Sequence, residues 1–184
     1  MSGNKIHKLD YQRLKEIARC QPITILVWGP TDPGVGAPPD EVKAYLKRLK
    51  IKTHLKKRFP SAGVFFSEDK EMQTLALPGQ NQLETQAMQA RIAHLVLMLD
   101  LTRGVHLELD HFIPKYPCFR EKAYVLLPEQ YVSTQGLTKN VLDMLESSHI
   151  IGFSDIEFDS CKLVTEKVDG VAHTIALKHV IESL

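Results

Sequence analysis

The chain has 184 residues and a net charge of +1, with 23 Lys and Arg against 22 Asp and Glu. That length suits one compact domain with a single core, and the balanced charge excludes a whole-molecule field that would recruit nucleic acid or a membrane surface. The three cysteines, Cys20, Cys118 and Cys161, are odd in number and lack a CxxC spacing, which fits reduced buried thiols better than a disulfide framework.

The opening stretch MSGNKIHKLDYQRLKE has no apolar signal core, and no run approaches the roughly 20 apolar residues of a membrane span. A soluble, cytoplasmic protein is the expectation. Leu9 to Arg19 reads as a polar helix with Leu14, Ile17 and Ala18 on one side, making residues 1–21 an N-terminal appendage to a single domain spanning 1–184. ITILVW, Ile23 to Trp28, is a short apolar run bounded by Pro22 and Gly29, as in a central parallel strand with both faces covered. The Gly- and Pro-rich segment Gly29 to Asp40 then forms a long loop. Asp40 is a candidate N-cap for a helix, or two shorter ones broken near Lys50, running to Phe59 with apolar Val42, Leu46, Leu49, Ile51, Leu55 and Phe59. The basic residues of this segment, Lys43 to Arg58, read first as a solvated outer face and second as a phosphate-attracting patch. No aromatic residues are interleaved for base stacking, so nucleic acid is not expected as a direct ligand.

Ala62 to Ser67 is a second strand, followed by SEDKE. Gln80 to Ala93 reads as a helix with Leu83, Ala87, Ala90 and Ile92 inward. Leu95 to Leu101 is a third strand, Glu121 to Leu127 a fourth, Leu137 to Ser147 a helix and Ile150 to Phe158 a fifth strand. The remainder is a closing helix, with Lys167 to Ile175 also compatible with a strand. Strands separated by helices imply right-handed crossovers. The expected fold is a flavodoxin-like or Rossmann-like three-layer α/β sandwich of about five mainly parallel strands in the order 2-1-3-4-5, with helices on both faces. Ligands of such sheets sit beyond the strands' carboxyl ends where the winding reverses. Here that crevice is shared by the Gly29 to Asp40 loop, Ser67 to Asp69, and Asp100 to Glu108.

Taking Val105 to Ile113 as a helix of about 100° per residue, Val105, Leu109, Phe112 and Ile113 form an apolar stripe with Glu108 at its edge. His111 lies within reach of Glu108, while His106 and Asp110 lie on the far flank. A carboxylate so placed is partly desolvated and has interactions free for a ligand; the plainer alternative is a half-exposed helix glutamate paired with Lys or Arg. Only an extended backbone would bring His106, Glu108 and Asp110 together as metal ligands, and on a helix they diverge. The first loop, with Gly29, Gly34 and Gly36 beside Thr31 and Asp32, matches neither the dinucleotide fingerprint nor a Walker loop. Its small residues would let backbone N–H groups approach a phosphate, with Asp32 accepting from a ribose hydroxyl, or they serve only the turn. Cys118 has no matched histidine and no GxSxG elbow occurs. Trp28 reads as core or pocket wall, and Glu84 as a surface residue within possible reach of the crevice.

A strand ending in Gly29-Pro30, then FFSED after the second strand, a helix from Glu84, and LVLMLDLTRGVHLELDHF together resemble the nucleoside 2-deoxyribosyltransferase-like superfamily. The closest likeness is to the N-glycosidase effectors of retron anti-phage systems, with Toll/interleukin-1-receptor-type NAD hydrolases more distant. In that superfamily the third strand leads into a Gly-x-x-x-Glu-Leu signature with a catalytic glutamate, matched here by Gly104 and Glu108-Leu109; Asp110 stands where the family often has Gly. The resemblance, over roughly Ile23 to Pro128, implies hydrolysis or transfer at the N-glycosidic bond of NAD, a nucleoside or a nucleotide, in antiviral defence. It implies that Glu108 is nucleophile or charge stabiliser, that Gly29, Pro30, Thr31, Asp32 and Thr102 surround ribose and phosphates, and that Ser67 and Arg103 are further members of the site. It also implies that the nucleotide is substrate with no resident cofactor, that the chain forms a homo-oligomer, and that a defence-system partner protein acts with it. Two alternatives use the same residues differently: a nucleotide-sensing module without turnover, and an interaction scaffold with a vestigial crevice.

Overall fold

The structure, a computed structural model, describes residues 12–99, 103–132, 142–159 and 162–182. Five strands form one parallel sheet in the order β2-β1-β3-β4-β5, namely β1 Thr24–Trp28, β2 Gly63–Phe65, β3 Leu95–Leu99, β4 Ala123–Pro128 and β5 Ile150–Phe153. This is the expected order, and every pairing is parallel. The register sets Leu26 beside Phe65 on one side and Val96 on the other.

The continuous apolar runs of β1 and β3 follow from burial on both faces. Ile25 and Val27 join Leu95, Leu97 and Leu99 in one core, whereas Leu26 and Trp28 join Val96 and Met98 in the other. Each fully buried side chain of this kind contributes about 1.5–3 kcal/mol of transfer free energy. Helix α2, Pro39–Arg58, and the closing helix Asp169–Glu182 cover the first face through Ile51, Leu55, Ala172 and Ala176. Helices α4, Gln82–Ile92, and α5, Arg103–Lys115, cover the second through Ala90, Leu109, Phe112 and Ile113. Before α2, residues 12–19 are helical and make α1; between β2 and α4 a single turn, Lys70–Gln73, makes α3. Among the described residues, no helix is long and apolar enough to cross a membrane.

Several local expectations change. Helix α2 is one continuous helix that starts at Pro39, with Pro38 as N-cap, so Asp40 lies in the first turn and is not the cap. Proline at the first helical position has its φ already set and loses no needed N–H. The inward positions of α2 are Lys47, Arg48, Ile51 and Leu55, while Leu46 is 52% exposed and Leu49 also reaches solvent. The basic residues of α2 divide: Lys43, Lys56, Lys57 and Arg58 are exposed, as a solvated outer face requires, whereas Lys47 and Arg48 are buried. Lys43 and Lys47 meet Asp155 at 3.3 and 2.5 Å, Lys50 donates to the Phe158 carbonyl, Lys52 pairs with Asp69, and Arg58 meets Asp169 at 2.8 Å. These internal partners also weigh against a phosphate patch there.

Helix α4 buries Thr85, Gln86, Gln89 and Ala90; of the four residues expected inward, Ala90 is buried and Ala87 partly so, while Leu83 and Ile92 are exposed. Its N-terminus is closed by a reciprocal capping box in which Asn81 accepts from the Glu84 N–H and Glu84 accepts from the Asn81 N–H, a device worth about 1 kcal/mol. Glu84 is therefore committed at the surface. Of the apolar side of α1 only Ala18 is buried; Leu14 and Ile17 are exposed. Cys20 and Cys118 are exposed free thiols, contrary to the expected burial, and Cys161 lies outside the described residues. The fifth strand stops at Phe153 and a short helix, Asp155–Asp159, follows. The segment from Leu163 is helical throughout, a π-helical stretch Leu163–Val168 leading into the closing helix, so the strand option for Lys167 to Ile175 is not taken. Of the expected helix Leu137 to Ser147, residues 137–141 lie outside the described residues and 143–146 are turn and irregular backbone instead of helix, although Leu142 and Leu145 are buried.

Candidate functional site

The sheet order puts the carboxyl ends of β1 and β3 side by side where the winding reverses, and buried Arg48, Gln86 and Gln89 cluster there. At the exit of β1, Gly29 is tightly enclosed: a Cβ on it would stand 3.1 Å from Leu99 Cβ and 3.2 Å from Arg48 Cδ. The absent side chain lets the loop run close against β3 and makes room for Arg48.

Arg48 is 0% exposed. Its Nε donates to the Val27 carbonyl at 2.9 Å and its Nη1 to the Pro30 carbonyl at 3.1 Å, while Nη1 and Nη2 grip the two oxygens of Glu68 at 2.6 and 2.8 Å. The guanidinium carbon lies 3.9 Å from the centre of the Phe66 ring. A planar fork with five donors is the side chain that can satisfy two backbone carbonyls and a carboxylate at once. It ties the loop after β1 to the loop after β2.

The second loop is itself pinned. The Ser67 carbonyl accepts from Gln73 at 2.6 Å and from Gln89 at 2.9 Å, and the Ser67 hydroxyl donates to Glu68 at 3.2 Å. Asp69 accepts the Phe66 N–H at 2.8 Å. Gln89, wholly buried on α4, also donates to the Met72 carbonyl at 3.2 Å.

One turn before Gln89, Gln86 is 3% exposed and its Nε2 donates to Glu108 Oε1 at 2.5 Å. Glu108 sits where the helical periodicity places it, next to buried Leu109 and one turn before Phe112, whose ring packs 5.1 Å from Trp28. Glu108 Oε2 is buried without a hydrogen-bond partner among the described residues, and so are the Oε1 atoms of Gln86 and Gln89. Burial pushes the Glu108 carboxyl above the ordinary glutamate range; the Gln86 hydrogen bond and the Arg48 charge pull it down, and Glu68 pushes it up. It is thus a desolvated carboxyl with one oxygen held and one without a donor, in electrostatic contact with the Arg48–Glu68 pair.

The other expected members are placed less uniformly. Pro30 is buried and contributes its carbonyl to Arg48. Thr31 and Asp32 are exposed, and Asp32 Oδ1 accepts the Gly34 N–H at 2.9 Å, so one oxygen of the expected ribose acceptor closes its own turn. Gly34 and Gly36 take φ of 77° and 86° with nothing near their missing Cβ atoms, which is the conformational explanation of that loop. Ser67 borders the site through its carbonyl and hydroxyl. Arg103 and Gly104 open α5, and Thr102 lies outside the described residues. His111 stacks edge-on against Phe112 at 5.1 Å, and the hydrogen bond to Glu108 comes from Gln86 instead. Because α5 is helical, the extended arrangement of His106, Glu108 and Asp110 is not formed, and among the described residues no three His, Cys, Asp or Glu side chains are grouped to hold a metal ion.

Arg48, Glu68, Gln86 and Gln89 are the members that the sequence reading did not single out. A signal existed for Arg48, which precedes buried Ile51 and Leu55 by three and seven residues and so shares their stripe. A cavity of about 260 Å³ also occurs at the opposite pole, bordered by His94 and Lys122 just before β3 and β4 and by the last turns of the closing helix. Its Lys122 ammonium is spent on the Arg91 and Ala93 carbonyls, and it lies at the amino ends of the strands, away from the crevice where parallel sheets take ligands. Comparison with models of known protein families and with curated proteins finds no match.

Proposed function

We propose that the chain cleaves the N-glycosidic bond of a nucleoside or nucleotide such as NAD, with Glu108 as the group that meets the sugar. The observation that carries this reading is the state of Glu108: a desolvated carboxyl at the reversal of a parallel sheet, with Oε1 held by Gln86 and Oε2 lacking a donor among the described residues. The likeness of Gly104 to Leu109 to the deoxyribosyltransferase signature supports it independently.

Breaking a C1′–N bond leaves its electron pair on the base nitrogen and positive charge on the sugar, an oxocarbenium-like state. A carboxylate beside C1′ stabilises that charge and then either bonds to C1′ before transfer or orients the water that adds there. Nicotinamide leaves NAD as a neutral molecule and requires no acid, so one glutamate suffices for that substrate. Glu108 acts in its ionised form; the Gln86 donor and the Arg48 charge favour that form, acting against burial, which remains the larger effect. Arg48 and Glu68 hold the two loops that would border ribose and phosphates.

The test is to incubate the protein with NAD and a panel of nucleosides and nucleotides and follow free base by chromatography. Base release is expected from at least one member, and Glu108→Gln should lower it by about two orders of magnitude or more. Turnover unchanged in that variant removes Glu108 from the mechanism. A second reading, nucleotide sensing without turnover, draws on the burial of Glu108 Oε2, which favours a neutral, binding carboxyl; saturable nucleotide binding with no base released would select it.

A further inference from the structure

We infer that Gln86 is the positioning residue of Glu108: its amide reaches across from α4 to α5, fixes one carboxyl oxygen and thereby sets the direction of the other. The functional consequence rests on the N-glycosidase reading; the coupling of the two side chains does not.

The geometry is specific. Gln86 and Glu108 are on different helices and meet at 2.5 Å through Nε2 and Oε1. Gln86 has almost no freedom to choose another partner, because it is 3% exposed and its helix is fastened on both sides of it. The capping box closes the start of α4, and Gln89, one turn on, is bonded to the Ser67 and Met72 carbonyls. The amide is also directional. With Nε2 facing the carboxylate, the contact is donor to acceptor; turned over, Gln86 Oε1 would face a carboxylate oxygen and repel it unless Glu108 carried a proton to donate. Amide orientation and Glu108 protonation are therefore linked.

A neutral donor suits the task better than a cation. A lysine at this position would favour ionised Glu108 strongly but would pair with it, cancelling the negative field that growing positive charge at C1′ requires. Glutamine supports the ionised form without neutralising it. The charged groups of the described residues that act on Glu108 are Arg48 of α2 and Glu68 after β2, of opposite effect. Among the described residues, Gln86 is thus the hydrogen-bonding side chain that distinguishes the two protonation states of Glu108.

The test follows the Glu108 carboxyl directly, by 13C chemical shift in protein labelled at glutamate Cδ, with Glu108→Gln assigning the signal. Gln86→Leu removes the donor at similar size, and Gln86→Met serves as a second variant with an unbranched chain. The titration midpoint of Glu108 should rise by roughly one pH unit or more in either folded variant, and the acid limb of kcat should move with it while KM changes less. An unmoved midpoint in a folded variant overturns the inference, even where Glu108→Gln abolishes base release. A raised midpoint with no base released from any nucleotide leaves the Gln86–Glu108 coupling standing and removes the N-glycosidase reading. Loss of folding in both variants, with a wild-type Glu108 midpoint at or above that of the introduced carboxyl in Leu109→Glu, also overturns it.

Discussion

His94 and Thr24 exchange two hydrogen bonds at the amino ends of β3 and β1: the His94 backbone N–H donates to the Thr24 carbonyl at 2.9 Å, and His94 Nδ1 accepts the Thr24 N–H at 3.0 Å. The imidazole thus serves the Thr24 N–H in place of a backbone carbonyl, one residue before β3 begins. It can do so only while Nδ1 is unprotonated, since an imidazolium has no acceptor.

That requirement makes the sheet sensitive to acid. Burial, with His179 and Lys122 nearby, pushes the His94 pKa below its ordinary 6.5, and burial does the same for His173. A depressed folded-state pKa means stability present above 6.5 and lost as pH falls below it toward the folded value. Thermal unfolding from pH 7.5 to pH 5 should show Tm falling below pH 6.5. His94→Asn, whose amide oxygen can take the place of Nδ1 without titrating, should lose less over the same range. The effect of one such hydrogen bond is about 1 kcal/mol, or roughly 2–4 °C in Tm. Parallel pH curves for the two proteins would contradict this role.

Glu68 looks like an ordinary surface residue, with 40% of its side chain exposed, but its partner is a wholly buried guanidinium. Exposed pairs contribute about 0–1 kcal/mol, whereas stripping the counter-charge from a buried ion costs about 3–5 kcal/mol. Because Arg48 keeps its bonds to the Val27 and Pro30 carbonyls, Glu68→Ala should cost about 3 kcal/mol in urea unfolding. A loss under 1 kcal/mol would show that the two carbonyls alone compensate Arg48.

Glu108 should act in the opposite sense. Its folded-state pKa lies above the ordinary 4.5, so its stabilising contribution is full below 4.5 and is lost as pH rises through the folded value. Glu108→Gln keeps an acceptor for Gln86 and has no charge to desolvate. The variant should therefore gain Tm relative to the parent between pH 4.5 and pH 7.5, on the order of a few degrees. A variant equally or less stable at the higher pH would show that the carboxylate is better compensated than its surroundings indicate.

The sheet was legible because ITILVW and LVLML are short, strongly apolar runs, the first bounded by Pro22 and Gly29, the pattern that burial on two faces demands. Glu108 was legible because Leu109, Phe112 and Ile113 repeat with the period of a helix. The inward sides of α2 and α4 were legible only in part. Ile51, Leu55 and Ala90 are buried as their spacing predicts, but the other buried places belong to Lys47, Arg48, Thr85, Gln86 and Gln89, and a hydropathy pattern chooses Leu46, Leu49, Leu83 and Ile92, which reach solvent. Arg48 meets Glu68 and Gln86 meets Glu108 across separations of 20 and 22 residues. No local spacing encodes such meetings; they exist only once the sheet has brought the elements together.

The amide-lined inner side of α4 has a mechanical consequence. Apolar contacts tolerate some sliding of a helix over its bed, whereas the directed bonds of Gln86 and Gln89 key α4 to one register against α5 and the loop after β2, since a small displacement breaks them and leaves buried amides unpaired. In hydrogen exchange, Gln89→Leu should thus speed the opening of α4 amides more than those of β1 and β3, marking this segment as a keyed wall of the framework.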